Sequence, residues 1–307
     1  MTLYRCVTDF RADQIDQILD RAARVKSGEA PLAITQRTIV GLAFLEPSLR
    51  TRTGFAAAAI RLGATPIEVL GLRASAVSMP ESVEDTIRTL SGYADVIVAR
   101  VDQPLVVPDG VKVPVLNGGD GGPAAEHPSQ ALIDLFALSQ LPVPISQQTI
   151  AICGDLRMRA ARSLLRLLAG RRPNRLVLIT DPKLREGFDC PSELTELIDY
   201  RSLDEISDVD ALYVVGIPHG AIHEEERTRL RVTVAQLDTL PSHARVYSPL
   251  PLIDEMDRTT SRHPRVRAFD QSDDGLYVRL AILEMLLDLH PTPWSQRGTA
   301  SPDQTTD

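Results

Sequence analysis

Residues 38–62 read TIVGLAFLEPSLRTRTGFAAAAIRL, and this stretch predicts the fold class of the chain. It begins with a mostly apolar run, continues with a Pro-Ser turn, and then takes on the periodicity of a helix. The same order of apolar strand, turn and helix recurs several times along the chain, which is typical of parallel βαβ units. We therefore predict an α/β fold of two doubly wound domains with mainly parallel sheets.

This pattern predicts particular elements. Strands are expected at 38–45, 66–70, 96–100, 113–116, 149–153, 175–179, 211–215 and 245–247, and helices at about 51–62, 81–93, 128–139 and 274–289. Two closely spaced prolines in the segment LPVPIS (141–146) disfavour helix and indicate a domain boundary. The expected domains are 1–140 and 141–273, followed by a helix at 274–290 that packs back on the first domain and a disordered tail at 291–307.

The composition narrows the function classes. The 307 residues carry a net charge of -8 and are 43% hydrophobic, which is ordinary for a globular protein. No apolar run approaches the roughly 18 residues of a membrane helix, and no Lys/Arg block suits a nucleic-acid backbone. Three cysteines, an odd number without metal-ligand spacing, predict free thiols. We expect a cytoplasmic protein without metal, cofactor, membrane or nucleic-acid partners.

The first chemical motif lies within the opening stretch, where the turn at residues 46–48 leads into a helix. Backbone N–H groups and the positive end of the helix dipole attract anions at such a point. Ser48, Arg50 and Thr51 would add hydroxyl and guanidinium donors. A capped helix with solvated arginines explains this segment alone about equally well.

The second motif is the glycine-rich stretch NGGDGGPAAEHPSQALIDL (117–135). Pro128 suits the first position of a helix, which places His127 and Gln130 near the helix start, where both can point at one small ligand. A single histidine is more often a structural residue. Here the strand–loop–helix context favours a ligand role, because α/β folds bind ligands at the carboxyl ends of their strands.

Together these two stretches resemble the aspartate/ornithine carbamoyltransferase family. Its phosphate loop reads Ser-Thr-Arg-Thr-Arg before a helix that ends in Leu-Gly-Ala, here at residues 62–64, and its second motif is His-Pro-x-Gln. The resemblance extends over roughly residues 40–290 and is closer to the aspartate branch. Further matching positions are Ser75, Glu81, Asp85, Thr86, Arg100, Gly154, Asp155, Leu156, Arg159, Pro249, Leu250, Pro251, Asp254 and Glu255.

The resemblance implies a role for each matched residue. Thr51, Arg100 and His127 would act on the carbamoyl oxygen and are the expected catalytic residues. The full expected carbamoyl phosphate site is Ser48, Leu49, Arg50, Thr51, Arg100, His127, Gln130, Pro249 and Leu250, and the expected acceptor site is Arg159, Leu250 and Ser75. The resemblance also implies a carbamoyltransferase that forms a homotrimer, with its active site in the cleft between the domains.

Three positions depart from the family pattern. Leu49 replaces a threonine of the phosphate loop, and Met79 occupies the place of a lysine that reaches the neighbouring subunit's site. Arg73 is the nearest substitute for that lysine, in a chain with only three lysines. Gly216 stands where the aspartate branch has an arginine that grips the acceptor. Two carboxylates need cationic partners, since an unpaired carboxylate in a closed site is costly.

These departures lead to the expectation of an amine acceptor other than aspartate. A role in specialised metabolism would follow, such as antibiotic biosynthesis, with the side-chain amine of a 2,3-diaminopropionyl unit in a peptide as one example. The alternatives are a divergent aspartate carbamoyltransferase of pyrimidine synthesis and a catalytically inert homologue that serves as a scaffold or partner. A nicotinamide dehydrogenase is disfavoured, because Gly154 and Asp155 lack the glycine spacing of a dinucleotide fingerprint.

Overall fold

A computed structural model of the chain describes residues 2–31, 38–71 and 81–289. The chain divides into two compact units, and a five-stranded parallel sheet is the framework of each. Unit 1 comprises Met1–Arg5, Asp16–Ala125 and Arg279–Asp307, and unit 2 comprises Cys6–Ile15 and Glu126–Val278. This division differs from the domain boundary expected near residue 140, which stays a prediction.

The sheet of unit 1 has the strand order β1-β5-β4-β2-β3, and every pair in it is parallel. Its strands are β1 (Leu3–Tyr4), β2 (Ile39–Phe44), β3 (Thr65–Leu70), β4 (Val96–Arg100) and β5 (Val115–Asn117). The helices that begin in the first 90 residues are α1 (Ala12–Lys26), α2 (Arg50–Arg61) and α3 (Val83–Leu90). β2 and β4 are almost entirely buried, as their runs of β-branched and apolar residues lead one to expect.

The sheet of unit 2 has the order β10-β9-β6-β7-β8, again with every pair parallel. Its strands are β6 (Thr149–Cys153), β7 (Arg175–Ile179), β8 (Ile198–Tyr200), β9 (Ala211–Val214) and β10 (Arg245–Tyr247). The remaining helices are α4 (Pro128–Ser139), α5 (Arg159–Arg171), α6 (Glu224–Arg229), α7 (Val234–Thr239) and α8 (Ala268–Leu289). Residues of β6, β7, β9 and β10 form the centre of the apolar core of this unit.

Each sheet has one point where the chain reverses its direction of strand addition. In unit 1 the chain runs from β2 to β3 on one side and then returns to β4 on the other side of β2. In unit 2 it runs from β6 through β7 to β8 and then returns to β9 on the other side of β6. Open α/β sheets bind their ligands beyond the carboxyl ends of the strands at such points. The two places to search for function are therefore the ends of β2 and β4 and the ends of β6 and β9.

The predicted fold class is confirmed, with small shifts at several element ends. β4, α4, β6, β7 and β10 have the predicted bounds, whereas β5 begins at Val115 rather than at residue 113. α8 begins at Ala268, six residues before the expected start at Asp274, and the carboxylate in its first turn is that of Asp270. α1, α5, α6, α7, β1 and β8 were not predicted.

Two further expectations concern the C-terminal tail and membrane-spanning helices. The tail at 291–307 lies outside the described residues. Within the described part of the chain, none of the helices combines the length and hydropathy that crossing a bilayer would require.

Candidate active site

The phosphate-loop residues lie where β2 ends and α2 begins. No side chain caps α2, whose N-cap position is held by Leu49 in helical backbone conformation. The first N–H groups of a helix have no partner within the helix, so this end of α2 carries donors and the positive pole of the dipole. Thr51 is buried, Ser48 and Arg50 are partly buried, and the side chain of Leu49 is 72% exposed. Burial lowers the pKa of Arg50.

Arg100 lies beside this loop, at the strand-reversal point of the first sheet. It ends β4 and is in register with Phe44 of β2, and its carbonyl oxygen accepts a hydrogen bond of 3.0 Å from the N–H of Leu45. Its guanidinium donates to the carbonyl oxygen of Gly118 at 3.2 Å, at the start of the glycine-rich loop. The structure therefore brings Arg100 and the phosphate loop to one edge of the unit 1 sheet.

In unit 2, His127 occupies the N-cap position of α4 and is almost fully buried. Its backbone N–H donates to Ser163 Oγ at 3.0 Å, and its Nδ1 lies 3.5 Å from Ser129 Oγ. Ser163 in turn donates to the buried carboxylate of Glu126, which also pairs with Arg166. Because α5 supplies both Ser163 and Arg166, that helix fixes the backbone at the start of α4.

Gln130 is the first member of a buried hydrogen-bond network. Its Nε2 donates to Asp134 Oδ1 at 2.7 Å, one helical turn further along α4. Asp134 also accepts from the hydroxyl of Tyr213 at 2.6 Å and from Nε2 of Gln271. Because Asp134 takes the amide N–H of Gln130, the amide oxygen Oε1 of Gln130 is left as the acceptor for another group.

Burial raises the pKa of Asp134 to about 7, against the opposing effect of hydrogen bonds from Tyr213, Gln130 and Gln271. Burial also raises the pKa of the Tyr213 hydroxyl, and the neighbouring Asp134 raises it further. Three donors converge on a carboxylate that can only accept when it is ionised. With a pKa of about 7, Asp134 changes its charge near neutral pH. Gln130 is hydrogen-bonded to this carboxylate.

The same network reaches the segment at 248–251. The backbone N–H of Ser248 donates to Gln271 Oε1 at 3.0 Å, and the N–H of Leu250 donates to Ser248 Oγ at 3.2 Å. Leu250 has φ +56°, a left-handed conformation that residues with a side chain seldom adopt, and its peptide bond to Pro251 is cis. Such left-handed residues cluster at functional sites. Gln271 thus ties Gln130, through Asp134, to the loop that carries Pro249 and Leu250.

The reversal point of the second sheet lies next to Arg159, one of the three expected acceptor residues. Gly154 follows β6 with φ +123°, and a Cβ there would lie 2.1 Å from the carbonyl oxygen of Val215, so only glycine fits. Arg157 is bound to Asp155 by contacts of 2.9 and 2.8 Å. Arg159 is the first residue of α5, whose N-terminus has no side-chain cap.

Gly216 follows β9 at the same edge. A Cβ at this position would lie 3.1 Å from Oε1 of Glu255. Glu255 is buried, and its Oε2 accepts from the N–H groups of Ile253 and Asp254. Its Oε1 accepts no hydrogen bond from the described part of the chain. Gly216 therefore lies next to a buried carboxylate oxygen that accepts no hydrogen bond within the described residues.

Three residues of the sequence-based site lie outside the described residues: Arg73, Ser75 and Met79. Residues that sequence reasoning did not single out include Glu126, Asp134, Ser163, Gln271 and Arg279. Asp134 had a signal, because it stands four residues after Gln130 on one helix. Gln271 had none, because only the fold brings it to α4. Among the described residues, no cluster of three or more His, Cys, Asp or Glu side chains is arranged to hold a metal ion.

Comparison with known proteins relates this geometry to one family. Residues 5–140 match the carbamoyl phosphate-binding domain of aspartate/ornithine carbamoyltransferases. The chain is 35% identical over 295 residues to the aspartate carbamoyltransferase catalytic subunit of Methanospirillum hungatei, covering 90% of this chain and 96% of that protein. It is also 35% identical over 296 residues to the corresponding subunit of Archaeoglobus fulgidus, covering 92% and 97%.

Solved structures show the same relationship. The catalytic subunit of M. jannaschii aspartate transcarbamoylase has a TM-score of 0.79 and 30% identity, and the match covers 94% of this chain and 98% of that one. Aspartate transcarbamoylase from Trypanosoma cruzi, in complex with carbamoyl aspartate and phosphate, has a TM-score of 0.79 and 28% identity over 92% and 94% of the two chains.

Proposed function

Because this chain belongs to the aspartate/ornithine carbamoyltransferase family, on its aspartate branch, and is a carbamoyltransferase, we propose that it transfers the carbamoyl group of carbamoyl phosphate to the amino group of aspartate. The observation that carries the donor half is the uncapped N-terminus of α2, with Arg50 and Thr51 in its first turn and Arg100 on the adjacent strand. This is an anion site at the ligand-binding edge of an α/β sheet.

The expectation of an acceptor other than aspartate is wrong. Relatives that match about nine-tenths of this chain at 30–35% identity are named aspartate carbamoyltransferase catalytic subunits. The departures at Met79 and Gly216 do not support a different acceptor, because the loss of single contacts lowers affinity without changing the reaction class. The expected role in antibiotic biosynthesis depended on a non-aspartate acceptor and loses its basis. The alternative of a catalytically inert homologue is excluded because the chain is a carbamoyltransferase.

In the proposed reaction the aspartate amine attacks the carbamoyl carbon, a C–N bond forms, and the C–O bond to phosphate breaks. The amine must be neutral to attack, and the departing phosphate accepts its proton. Negative charge grows on the carbamoyl oxygen, and donors fixed at that position are the main source of rate. We assign this oxygen to Thr51, Arg100 and His127.

The remaining roles follow from the chemistry of each group. Ser48, Arg50 and the N–H groups at Leu49 and Thr51 hold the phosphate. Gln130 offers its Oε1 to the carbamoyl NH2, since Asp134 takes its N–H. The backbone carbonyls of Pro249 and Leu250 orient the NH2 and the incoming amine. Arg159, at the N-terminus of α5, grips one carboxylate of aspartate.

The test follows N-carbamoylaspartate by mass, from labelled carbamoyl phosphate and aspartate. We expect saturable product formation by the unchanged protein and a loss of roughly 10²- to 10³-fold in kcat/KM for Arg50→Ala and for His127→Ala. Arg61→Ala is the matched control, since Arg61 lies exposed at the other end of α2. No product from aspartate at any concentration, with carbamoyl phosphate bound, would refute the acceptor.

We further propose that the protein works as a homotrimer in the cytoplasm. Support for association comes from apolar side chains exposed on α2 and β3, Ile60, Ile67 and Leu70. Exposed apolar groups in one segment are typical of protein–protein contacts. Support for the compartment comes from Cys153 and Cys190, whose thiols form no disulfide within the described residues, since a reducing environment keeps cysteines out of disulfides.

A further inference from the structure

Helix α8 carries a buried arginine that makes no ion pair with any carboxylate of the described residues. Arg279 is 4% exposed, and its Nε has no hydrogen-bond partner within the described residues. Arg21 of α1 differs in this respect. Its guanidinium donates two hydrogen bonds, of 2.6 and 2.8 Å, to Glu284, which lies five residues after Arg279 on α8. An arginine that served only to hold α8 in place would be expected to have such a partner.

The guanidinium of Arg279 lies against α2. Its Cζ is 5.7 Å from the centre of the Phe55 ring, and a Cβ at Gly54 would lie 2.6 Å from its Nη1. The absence of a side chain at Gly54 therefore makes room for the charge. Gly54 and Arg50 are four residues apart on α2 and share a face of that helix. Arg279 thus places its charge one helical turn behind the phosphate loop.

The charges of the two arginines act on each other. Burial first, and the positive charge of Arg50 second, together lower the pKa of Arg279 to about 10. A buried charge without a counter-ion costs free energy, and a like charge nearby adds to that cost. Two guanidiniums and the positive pole of α2 therefore concentrate positive potential at one point, and a bound dianion relieves it.

We propose that Arg279 is a positioning residue for the phosphate end of carbamoyl phosphate, acting from behind Arg50 and the N-terminus of α2. The inference rests on the proposed function, since it assigns the anion at this point to the donor substrate. Arg279 does not touch the phosphate. Its charge raises the affinity of the loop for a dianion, at a cost to the stability of the free protein.

The experiment titrates the full-length protein with inorganic phosphate and with carbamoyl phosphate by calorimetry, and measures the melting temperature of the free protein. In Arg279→Met we expect about tenfold weaker binding of both ligands, the same factor in KM for carbamoyl phosphate, and a much smaller change in kcat. The melting temperature of the free protein should stay the same or rise. Arg279→Lys keeps the charge and should recover part of the affinity.

Arg21→Met is the matched structural control, because it removes an arginine that contacts the same helix and, with it, the ion pair to Glu284. It should lower the melting temperature without changing phosphate affinity. The proposal is overturned if Arg279→Met binds phosphate as the unchanged protein does, or if it lowers the melting temperature as much as Arg21→Met does. Failure of Arg279→Met to fold, where Arg21→Met folds, would equally overturn it.

Phosphate titration needs neither acceptor nor turnover, which separates this inference from the proposed function. Phosphate binding that weakens in Arg279→Met, in a protein that makes no N-carbamoylaspartate, would refute the function and leave the role of Arg279 standing. An unchanged protein that binds neither phosphate nor carbamoyl phosphate would refute both.

Discussion

At the scale of single residues, Asp134 decides how Gln130 can act. An amide side chain presents a donor on one side and an acceptor on the other, and sequence spacing does not say which one faces a ligand. Asp134 takes the Nε2 donor at 2.7 Å, so the acceptor faces away from it. The hydrogen bonds from Tyr213 and Gln271 hold Asp134 in turn.

Asp134 also predicts a pH dependence of stability. Its pKa is about 7 in the folded protein against 3.8 for an ordinary aspartate, so the folded state holds a proton that the unfolded state has lost between these values. The free energy of unfolding should therefore fall as pH rises from about 4 to about 7. In Asp134→Asn this part of the slope should disappear, and kcat/KM should lose an ionisation near pH 7. Denaturant unfolding and rate profiles at several pH values measure both, and an unchanged slope would contradict the role.

Gly216 and Glu255 predict a gain of function. An arginine at position 216 would lie next to Oε1 of Glu255, which accepts no hydrogen bond within the described part of the chain. It would also add a cation at the position where the aspartate branch has one. We expect Gly216→Arg to lower KM for aspartate about tenfold, with kcat little changed. Gly216→Ala is the control for size alone. Equal KM values in Gly216→Arg and the unchanged protein would show that this position does not face the acceptor.

At the scale of elements, the part that α2 plays in anion binding competes with its stability as a helix. Its N-terminus, which no side chain caps within the described residues, presents backbone N–H groups and the positive pole of the helix dipole to an anion, and its interior glycine makes room for Arg279. A glycine inside a helix ordinarily weakens that helix by about 1 kcal/mol relative to alanine. Gly54 therefore lowers the stability of α2 and at the same time leaves space for the buried guanidinium of Arg279.

Gly54→Ala tests this competition. The added methyl group would displace the guanidinium, because the Cβ position is 2.6 Å from Nη1. We expect weaker phosphate binding and little or none of the usual stabilisation. Gly170→Ala in α5 is the matched control: a Cβ there meets nothing within 4 Å, so the full gain of about 1 kcal/mol is expected. Calorimetry and denaturant unfolding measure these effects, and a full gain in Gly54→Ala with unchanged phosphate binding would contradict them.

The elements themselves divide into those that local sequence predicts and those that it does not. Strands such as β4 and β6 are continuous apolar runs between turn residues, and their bounds agree with prediction. β8 and α6 are short, and their residues are partly polar, so that only pairing and packing within unit 2 stabilise them. α8 begins six residues before Asp274, the residue that the sequence pattern took as its start, and Asp270 lies in its first turn.

At the scale of the whole molecule, the exposed apolar side chains of α2 and β3 predict assembly. In light scattering after gel filtration, the protein should have a mass of three times 33.6 kDa. Charges at Ile60 and Leu70 should lower this mass, because a buried unpaired charge opposes association. Tyr93→Glu is the control, at an exposed residue between α3 and β4. A monomer mass for the unchanged protein, or a trimer in the Ile60→Glu, Leu70→Glu variant, would contradict the prediction.

The sequence by itself determined the α/β class, the phosphate loop and the family resemblance, because these depend on local patterns: apolar runs, turn residues and fixed spacings within one strand–loop–helix unit. The acceptor was misjudged from the sequence, since a single position such as Gly216 does not report what its neighbours supply. Tertiary structure alone decided the hydrogen bonds from Tyr213 and Gln271 to Asp134, the hydrogen bond from Ser248 to Gln271 and the place of Arg279 behind α2. These contacts join residues far apart in the chain, so their energies depend on burial and on charges that only the folded chain brings together.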